Sequence, residues 1–362
     1  MGTICAKIDA EQGEERIEEH DEHYSSLMWD DLDSEDDGED STDEEDIWQQ
    51  VSQMSVSSHF SSQSLMVNPE EVKQGKVLCH TLKSRVYTAS WQGQEVVAKQ
   101  LKSFDDMSSD HGMSELLHEI HILSGLRHPC LVRMIGANLG SDAPPGPFML
   151  TEFMEHHDVE TYMQKQQQEH EDPFYRPGFE VAMGWARNTG QALRYLHGLP
   201  TPIIHRDLKP LNLFLTKDLQ VKVGDFGISK VMPARHMVDK SPAPSMTGGV
   251  GTWRYMAPEV ARHEAYTDKV DIYAYALIMY YIFSGKQPFH SMEVDEILDA
   301  FGRGEEPRPE VQCLSRELGA LLAEAWHSEA ALRPSAADCL VRLSEIKMPS
   351  FRQSLKELLG MR

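Results

Sequence analysis

The hydrophobic pattern of this chain changes period once, and that change constrains the fold more than any other feature. Up to Met154 the apolar residues alternate in short runs. KVLCHTLKSRVYTASW and QEVVAKQLKS flank a turn at Gln92-Gly93; RMIGANL and PFMLTEFM follow, parted by the loop GSDAPPG. Alternation every second residue, rich in Val and Tyr, predicts strands, the first two forming an antiparallel hairpin. One segment breaks the rule. SELLHEIHILSGL (114–126) spaces its apolar residues by three and four, which predicts a helix ending at Gly125. Beyond residue 158 helical spacing takes over, at 158–169, 179–198, 268–284, 293–302, 315–326 and 336–345, around a loop-rich stretch, 205–258. A small strand-rich lobe followed by a large helical one is an α+β arrangement. The longest apolar run, VDIYAYALIMYYIF (270–283), is too short to span a bilayer and contains Asp271, so it reads as a buried helix. The Gln-rich MQKQQQEHEDPFYRPGF is expected to be a mobile connection.

Charge separates a tail from this patterned body. Residues 1–68 hold twenty Asp/Glu against Lys7 and Arg16, a net −18 of the chain's −24, leaving 38 acidic and 32 basic side chains beyond. DDLDSEDDGEDSTDEED cannot bury enough apolar surface to offset its ordering entropy, so residues 1–68 are expected to be disordered. The tail reads as a solubilising segment, as a target of acid-directed kinases at Ser34, Ser41 and Thr42, or as a strand of charge that folds back on basic residues near a cleft. A body this close to neutral lacks the Lys/Arg stripe that nucleic acid demands, and the tail would repel anionic lipid. Gly2 and Cys5 raise N-terminal acylation, but Ala6 stands where that pattern wants Ser or Thr, and one chain anchors weakly. The start carries no apolar signal core, and five scattered cysteines form no CxxC pair. Together these features read as a reduced, cytoplasmic chain without membrane anchorage.

The chemistry is concentrated in three strings. HRDLKPLN occupies 205–212, Asp225 opens DFG thirteen residues after Asn212, and APE lies at 257–259. This ordered set resembles the eukaryotic protein kinase catalytic domain across roughly residues 72–345. WQGQEVVAKQL, LRHPCLVRMIG, IIHRDLKPLNLFL and GTWRYMAPEV most resemble the tyrosine-kinase-like group, whose members are mostly Ser/Thr kinases. The resemblance implies the bilobal kinase fold, with an antiparallel-sheet N-lobe (69–152) and a helical C-lobe (153–348), flanked by the tail and by residues 349–362. It also implies ATP and Mg²⁺ as cofactors and a protein as substrate.

Further implications attach to single positions. Asp207 would accept the proton of the attacking hydroxyl, and Lys209 would reach the γ-phosphate. Asn212 and Asp225 would hold Mg²⁺, a hard cation that wants oxygen ligands. Lys99 would grip the α- and β-phosphates, oriented by Glu119. Leu78, Val86, Ala98 and Phe214 would line the adenine pocket, with Thr151 at its back and the backbone of Glu152 to Met154 as its hinge. Leu123, Met134, His205 and Phe226 would stack between the lobes. Asp271 would hold the HRD backbone, and Glu259 would pair with Arg333. Arg206 would receive an activation-loop phosphate, with Ser241, Ser245 and Thr247 as acceptors, while Thr252 would contact Asp207 and the substrate.

One departure stands out. Where the family has GxGxxGxV, aligning Val86 puts Cys79, Thr81 and Ser84 on the glycines. Side chains there obstruct the approach of backbone N–H groups to phosphate. The three replacements are small, Lys83 and Arg85 add positive charge, and every residue expected to touch metal or proton is present. The reading is therefore an active Ser/Thr kinase; a kinase fold serving as a pseudokinase or scaffold is the alternative. Cys79 among basic neighbours reads either as inert core or as an oxidisable thiol.

Overall fold

A computed structural model describes residues 65–80, 84–102, 111–139, 146–232 and 252–347. Five strands form one antiparallel sheet: β1 (Lys73–His80), β2 (Ser84–Trp91), β3 (Gln94–Leu101), β4 (Met134–Asn138) and β5 (Phe148–Glu152), in the order β1-β2-β3-β5-β4. The β2–β3 turn sits at Gln92-Gly93, with φ of 49° and 77°. Two left-handed residues in succession match the twist of a two-residue hairpin, and glycine carries the second at little cost. Helix α1 (His111–Gly125) packs on β3, β4 and β5.

Below the sheet lie α2 (Val159–Glu169), α3 (Phe179–His197), the short strands β6 (Ile203–Ile204), β7 (Leu213–Leu215), β8 (Val221–Val223) and β9 (Lys230–Val231), then α4 (Pro258–Ala261), α5 (Lys269–Ser284), α6 (Val294–Gly302), α7 (Arg316–Ala325) and α8 (Ala336–Glu345). Every residue of α5 from Val270 to Ser284 is buried, so the apolar run is the helix around which the lobe is built. It stops at Gly285, whose φ of 73° lets its N–H reach the Tyr281 carbonyl at 2.8 Å. A Cβ at that position would also collide with the Phe174 carbonyl.

Three expectations change. The Gln-rich stretch is not a free connection: Met163–Glu169 complete α2, whose start is capped by Asp158 accepting from the Thr161 N–H at 2.7 Å. The following turn is closed by the Phe174 N–H on Asp172 at 2.9 Å. The tail boundary at 68/69 falls too late. Val67 is 3% exposed; its N–H donates to the Ala137 carbonyl at 2.9 Å, and Asn138 Nδ2 returns a bond to the Val67 carbonyl. Leu65–Asn68 thus cover the open edge of β4, which would otherwise present unpaired backbone groups. Gly136 permits the approach, since a Cβ there would stand 2.5 Å from Val67 Cγ2. Residues 1–64 and 348–362, on which the remaining tail expectations fall, lie outside the described residues.

The third change concerns the sheet's two faces. Val86 pairs with Lys99, Thr88 with Val97 and Val97 with Thr151, so these side chains share one face. Tyr87, Ala98 and Leu150 share the other and close a separate core with Val67, Ala89, Val96 and Phe148. Ala98, expected at the adenine wall, is fully buried on the face away from Lys99. Neighbours along a strand point to opposite sides, so a pocket that holds Lys99 takes Val97 instead.

Candidate active site

The segment 205–212 is tied down from beneath. Asp271, buried in the first turn of α5, accepts from the backbone N–H of His205 (2.9 Å) and of Arg206 (3.0 Å), and from His197 Nε2 (2.8 Å). Burial pushes this carboxyl up, but the His197 bond and charge, with those of His205, outweigh it and hold it below the usual range. That grip sustains an unusual backbone at Arg206, with φ 66°, and Asp225, beside the Gly224 N–H that bonds the Asn212 carbonyl, has φ 62°. Outside glycine such a conformation costs about 1–3 kcal/mol per residue and persists only where surroundings enforce it.

On this base the polar groups converge. Lys209 Nζ lies 2.8 and 3.0 Å from the two oxygens of the Asp207 carboxylate. Asn212 Nδ2 donates to the Asp207 carbonyl at 2.7 Å and to its carboxylate at 3.1 Å, while the Asn212 carbonyl accepts from the Gly224 N–H at 3.0 Å. The last bond joins the HRD loop to the residue before DFG. From the sheet, Lys99 Nζ reaches Glu119 on α1 at 2.6 Å and Asp225 at 3.4 Å. Burial opposes the charge on Lys99, but Asp225 and then Glu119 more than offset it and hold the ammonium well above its ordinary value. Burial likewise raises Asp225, and Lys99 overcomes it to leave the carboxylate below its ordinary value. Phe226 packs on His205 with ring centroids 4.9 Å apart and shares a buried cluster with Leu123 and Met134. Of the expected inter-lobe stack, the His205–Phe226 contact is present, and Leu123 and Met134 lie in the same buried core.

Other expected residues are placed as follows. Leu78 sits half-buried at an irregularity of β1, between Val77 and Cys79. Phe214 lies on β7 beside Asp158, below the connection between the lobes, and Met154 is 6% exposed in that connection. Glu152 contributes more than backbone: its carboxylate takes Lys222 of β8 at 2.7 and 2.8 Å and the Arg133 N–H at 2.8 Å, an ion pair across the hinge. Glu259 and Arg333 form a buried two-pronged pair at 2.5 and 2.8 Å. Arg206 binds neutral oxygens, namely the Ile228 carbonyl (2.5 Å), the Tyr266 hydroxyl (3.1 Å) and the Ser229 carbonyl (3.4 Å). Thr252 opens a 3-10 turn, Thr252–Tyr255, and its side chain lies outside the described residues, as do Ser241, Ser245 and Thr247. In the glycine-free loop Thr81, Leu82 and Lys83 are also outside. Cys79 and Ser84, which flank them, are buried at 8% and 2% exposure, which places the thiol in the core.

Sequence reasoning missed His197, Lys222 and Leu65–Asn68. None carries a local signal, because each acts through a partner 70 or more residues away.

The protein kinase domain family model matches residues 78–342. Serine/threonine-protein kinase VIK of Arabidopsis thaliana is 34% identical over 268 residues, covering 72% of this chain and 57% of that protein. Serine/threonine-protein kinase 12 of the same plant is 31% identical over 289 residues, 77% of this chain and 58% of its own length. The RGS domain-containing serine/threonine-protein kinase A of Dictyostelium discoideum is 29% identical over 317 residues, 87% of this chain and 26% of its own. The chain thus spans between about a quarter and three fifths of these relatives. It belongs to the eukaryotic protein kinase family, of the tyrosine-kinase-like type.

Proposed function

We propose that this chain transfers the γ-phosphate of ATP to Ser and Thr hydroxyls of protein substrates. One observation carries the reading: Lys99, Glu119 and Asp225 form one bonded triad and Asp207, Lys209 and Asn212 another, and the Gly224 N–H on the Asn212 carbonyl ties the two together from the sheet to the HRD loop. Phosphoryl transfer asks a protein mainly to position groups and neutralise charge, and this set does both. Asp207 takes the proton of the attacking hydroxyl. Lys209, already on Asp207, offsets charge gathering on the transferred phosphoryl. Lys99, fixed by Glu119, grips the inner phosphates. The donor set fits Mg²⁺: the Asp225 carboxylate and the Asn212 side-chain carbonyl are hard oxygens, and the Asn212 amide nitrogen is committed to Asp207. When bound, the cation neutralises phosphate charge. Val86, Val97, Leu78 and Phe214 are the apolar wall for the base, Thr151 stands behind it, and the backbone from Glu152 to Met154 bonds its edge.

Activation-loop phosphorylation at Ser241, Ser245 or Thr247 fits Arg206, whose charge meets only neutral oxygens among the described residues. In this reading the role of Thr252 is to bridge Asp207 and the incoming hydroxyl. Protein substrate and ATP are the partners in this reading, with no nucleic acid, and the location is cytoplasmic. No described helix is long and apolar enough to cross a membrane.

The test is incorporation of labelled phosphate from Mg²⁺-ATP into dephosphorylated casein by the full chain. Transfer by wild type and none by Asp225→Ala or Lys99→Met is expected; label in the Asp225→Ala lane equal to wild type would refute the assignment. Alanine at 241, 245 and 247 together tests the loop, and unchanged activity would remove it from the account.

A further inference from the structure

Glu119 and the residue before it hold opposite ends of one turn. Residues 226–229 leave DFG as a tight turn in which the Ser229 N–H and hydroxyl both donate to the Phe226 carbonyl, at 3.0 and 2.8 Å. The Glu119 carboxylate accepts the Phe226 N–H at 3.3 Å. One position earlier on α1, rotated by about 100° around the helix, His118 places Nε2 2.8 Å from the Ser229 carbonyl oxygen. A carbonyl only accepts, so Nε2 carries the hydrogen and donates. Arg206 donates to the same oxygen at 3.4 Å. Helix α1, the activation segment and the HRD loop therefore meet on one atom. Burial pushes the imidazole down, and the neighbouring Arg206 and His121 add to this despite the Ser229 bond. His118 thus donates as a neutral ring, without adding a second cation beside Arg206.

We propose that His118 is a positioning residue. Its bond to Ser229 fixes α1 in the one placement where Glu119 meets both Lys99 and Phe226. If α1 slides or rotates, the His118–Ser229 and Glu119–Phe226 bonds break together, and the Lys99 anchor goes with them. The expected effect on catalysis rests on the phosphotransfer reading; the effect on the helix does not.

The test compares His118→Leu, which removes the donor, with His118→Gln, whose amide reaches the Nε2 position. In the full chain, with casein as acceptor, His118→Leu lowers kcat about tenfold, equivalent to about 1.4 kcal/mol and in the range of one such bond. Its melting temperature stays within about 2 °C of wild type, and His118→Gln recovers to within about threefold of wild-type kcat. Wild-type kcat in His118→Leu, or Gln as slow as Leu at equal melting temperature, overturns the proposal. Amide hydrogen exchange over residues 114–125 gives a second readout that needs no activity and also serves if the Leu variant does not fold. His118→Asn, whose amide falls short, exchanges faster than His118→Gln; equal exchange overturns the latch. A wild type that transfers no phosphate yet shows this exchange contrast would sink the phosphotransfer reading alone.

Discussion

The two sides of the cleft are built by opposite rules. On the lower side the functional side chains are tied into polar contacts: Asp271 by three donors, Asp207 by Lys209 and Asn212, and Asp225 by Lys99, which Glu119 also grips. On the upper side, the β1–β2 lid has shed the glycines that family members place over phosphate. The one glycine within β1, Gly75, serves strand packing, since a Cβ there would stand 2.5 Å from Thr88 Oγ1. The contrast teaches where this fold tolerates change. In the proposed reading, the groups that would meet the reacting atoms are over-determined because a shift in one displaces the others, whereas the segment that would cover the phosphates is open to change.

That contrast can be broken at several points. The largest effect belongs to the lower side: Asp207→Ala should cut kcat by about 10²–10⁴-fold with unchanged folding, read by steady-state phosphate transfer. Next, Asp271→Ala leaves two backbone N–H groups and His197 without their acceptor. It should lower unfolding free energy by about 3–5 kcal/mol in urea, and activity with it. Smaller is the β4 edge. Deleting residues 1–64 should leave the urea midpoint unchanged, while deleting 1–68 removes Val67 from its site and should cost about 1.5–3 kcal/mol. The assignment of faces comes next: Ala98→Leu overpacks a closed core, at about 1–3 kcal/mol with KM for ATP unchanged, whereas Val97→Phe should raise KM for ATP with little change in stability. Smallest is the lid. Glycine at 79, 81 and 84 should lower KM for ATP by a factor of about ten or less, within about 1.4 kcal/mol, and leave kcat nearly alone.

Much of this was legible along the chain. The change of period gave the ends of every helix longer than four residues within three residues, and the hairpin turn at Gln92-Gly93, because local patterning decides those elements; the short α4 gave no periodic signal. That Asp207, Lys209 and Asn212 would gather, and that Lys99 would meet Glu119 and Asp225, was legible through motif spacing; their metal, proton and phosphate roles belong to the proposed function. Ala98 went astray where a matching motif overrode a physical rule already available: side chains alternate along a strand, so Ala98 and Lys99 cannot face the same ligand. The docking of Leu65–Asn68 was illegible for a different reason. A short apolar stretch beside a long polar tail resembles tail, and only the open edge of β4 and the absent side chain of Gly136 reveal its seat. His118 and Lys222 gave no signal because their partners are a distant carbonyl and a distant carboxylate.

The central claim is that the lower side of the cleft suffices for transfer beneath a lid without glycine. Its most direct test is the phosphate-transfer rate at saturating Mg²⁺-ATP, compared among wild type, the variant with glycine at 79, 81 and 84, and Asp225→Ala. The account predicts wild type within about threefold of the glycine variant, with both far above Asp225→Ala. A wild type no faster than Asp225→Ala, revived only by the restored glycines, would contradict it.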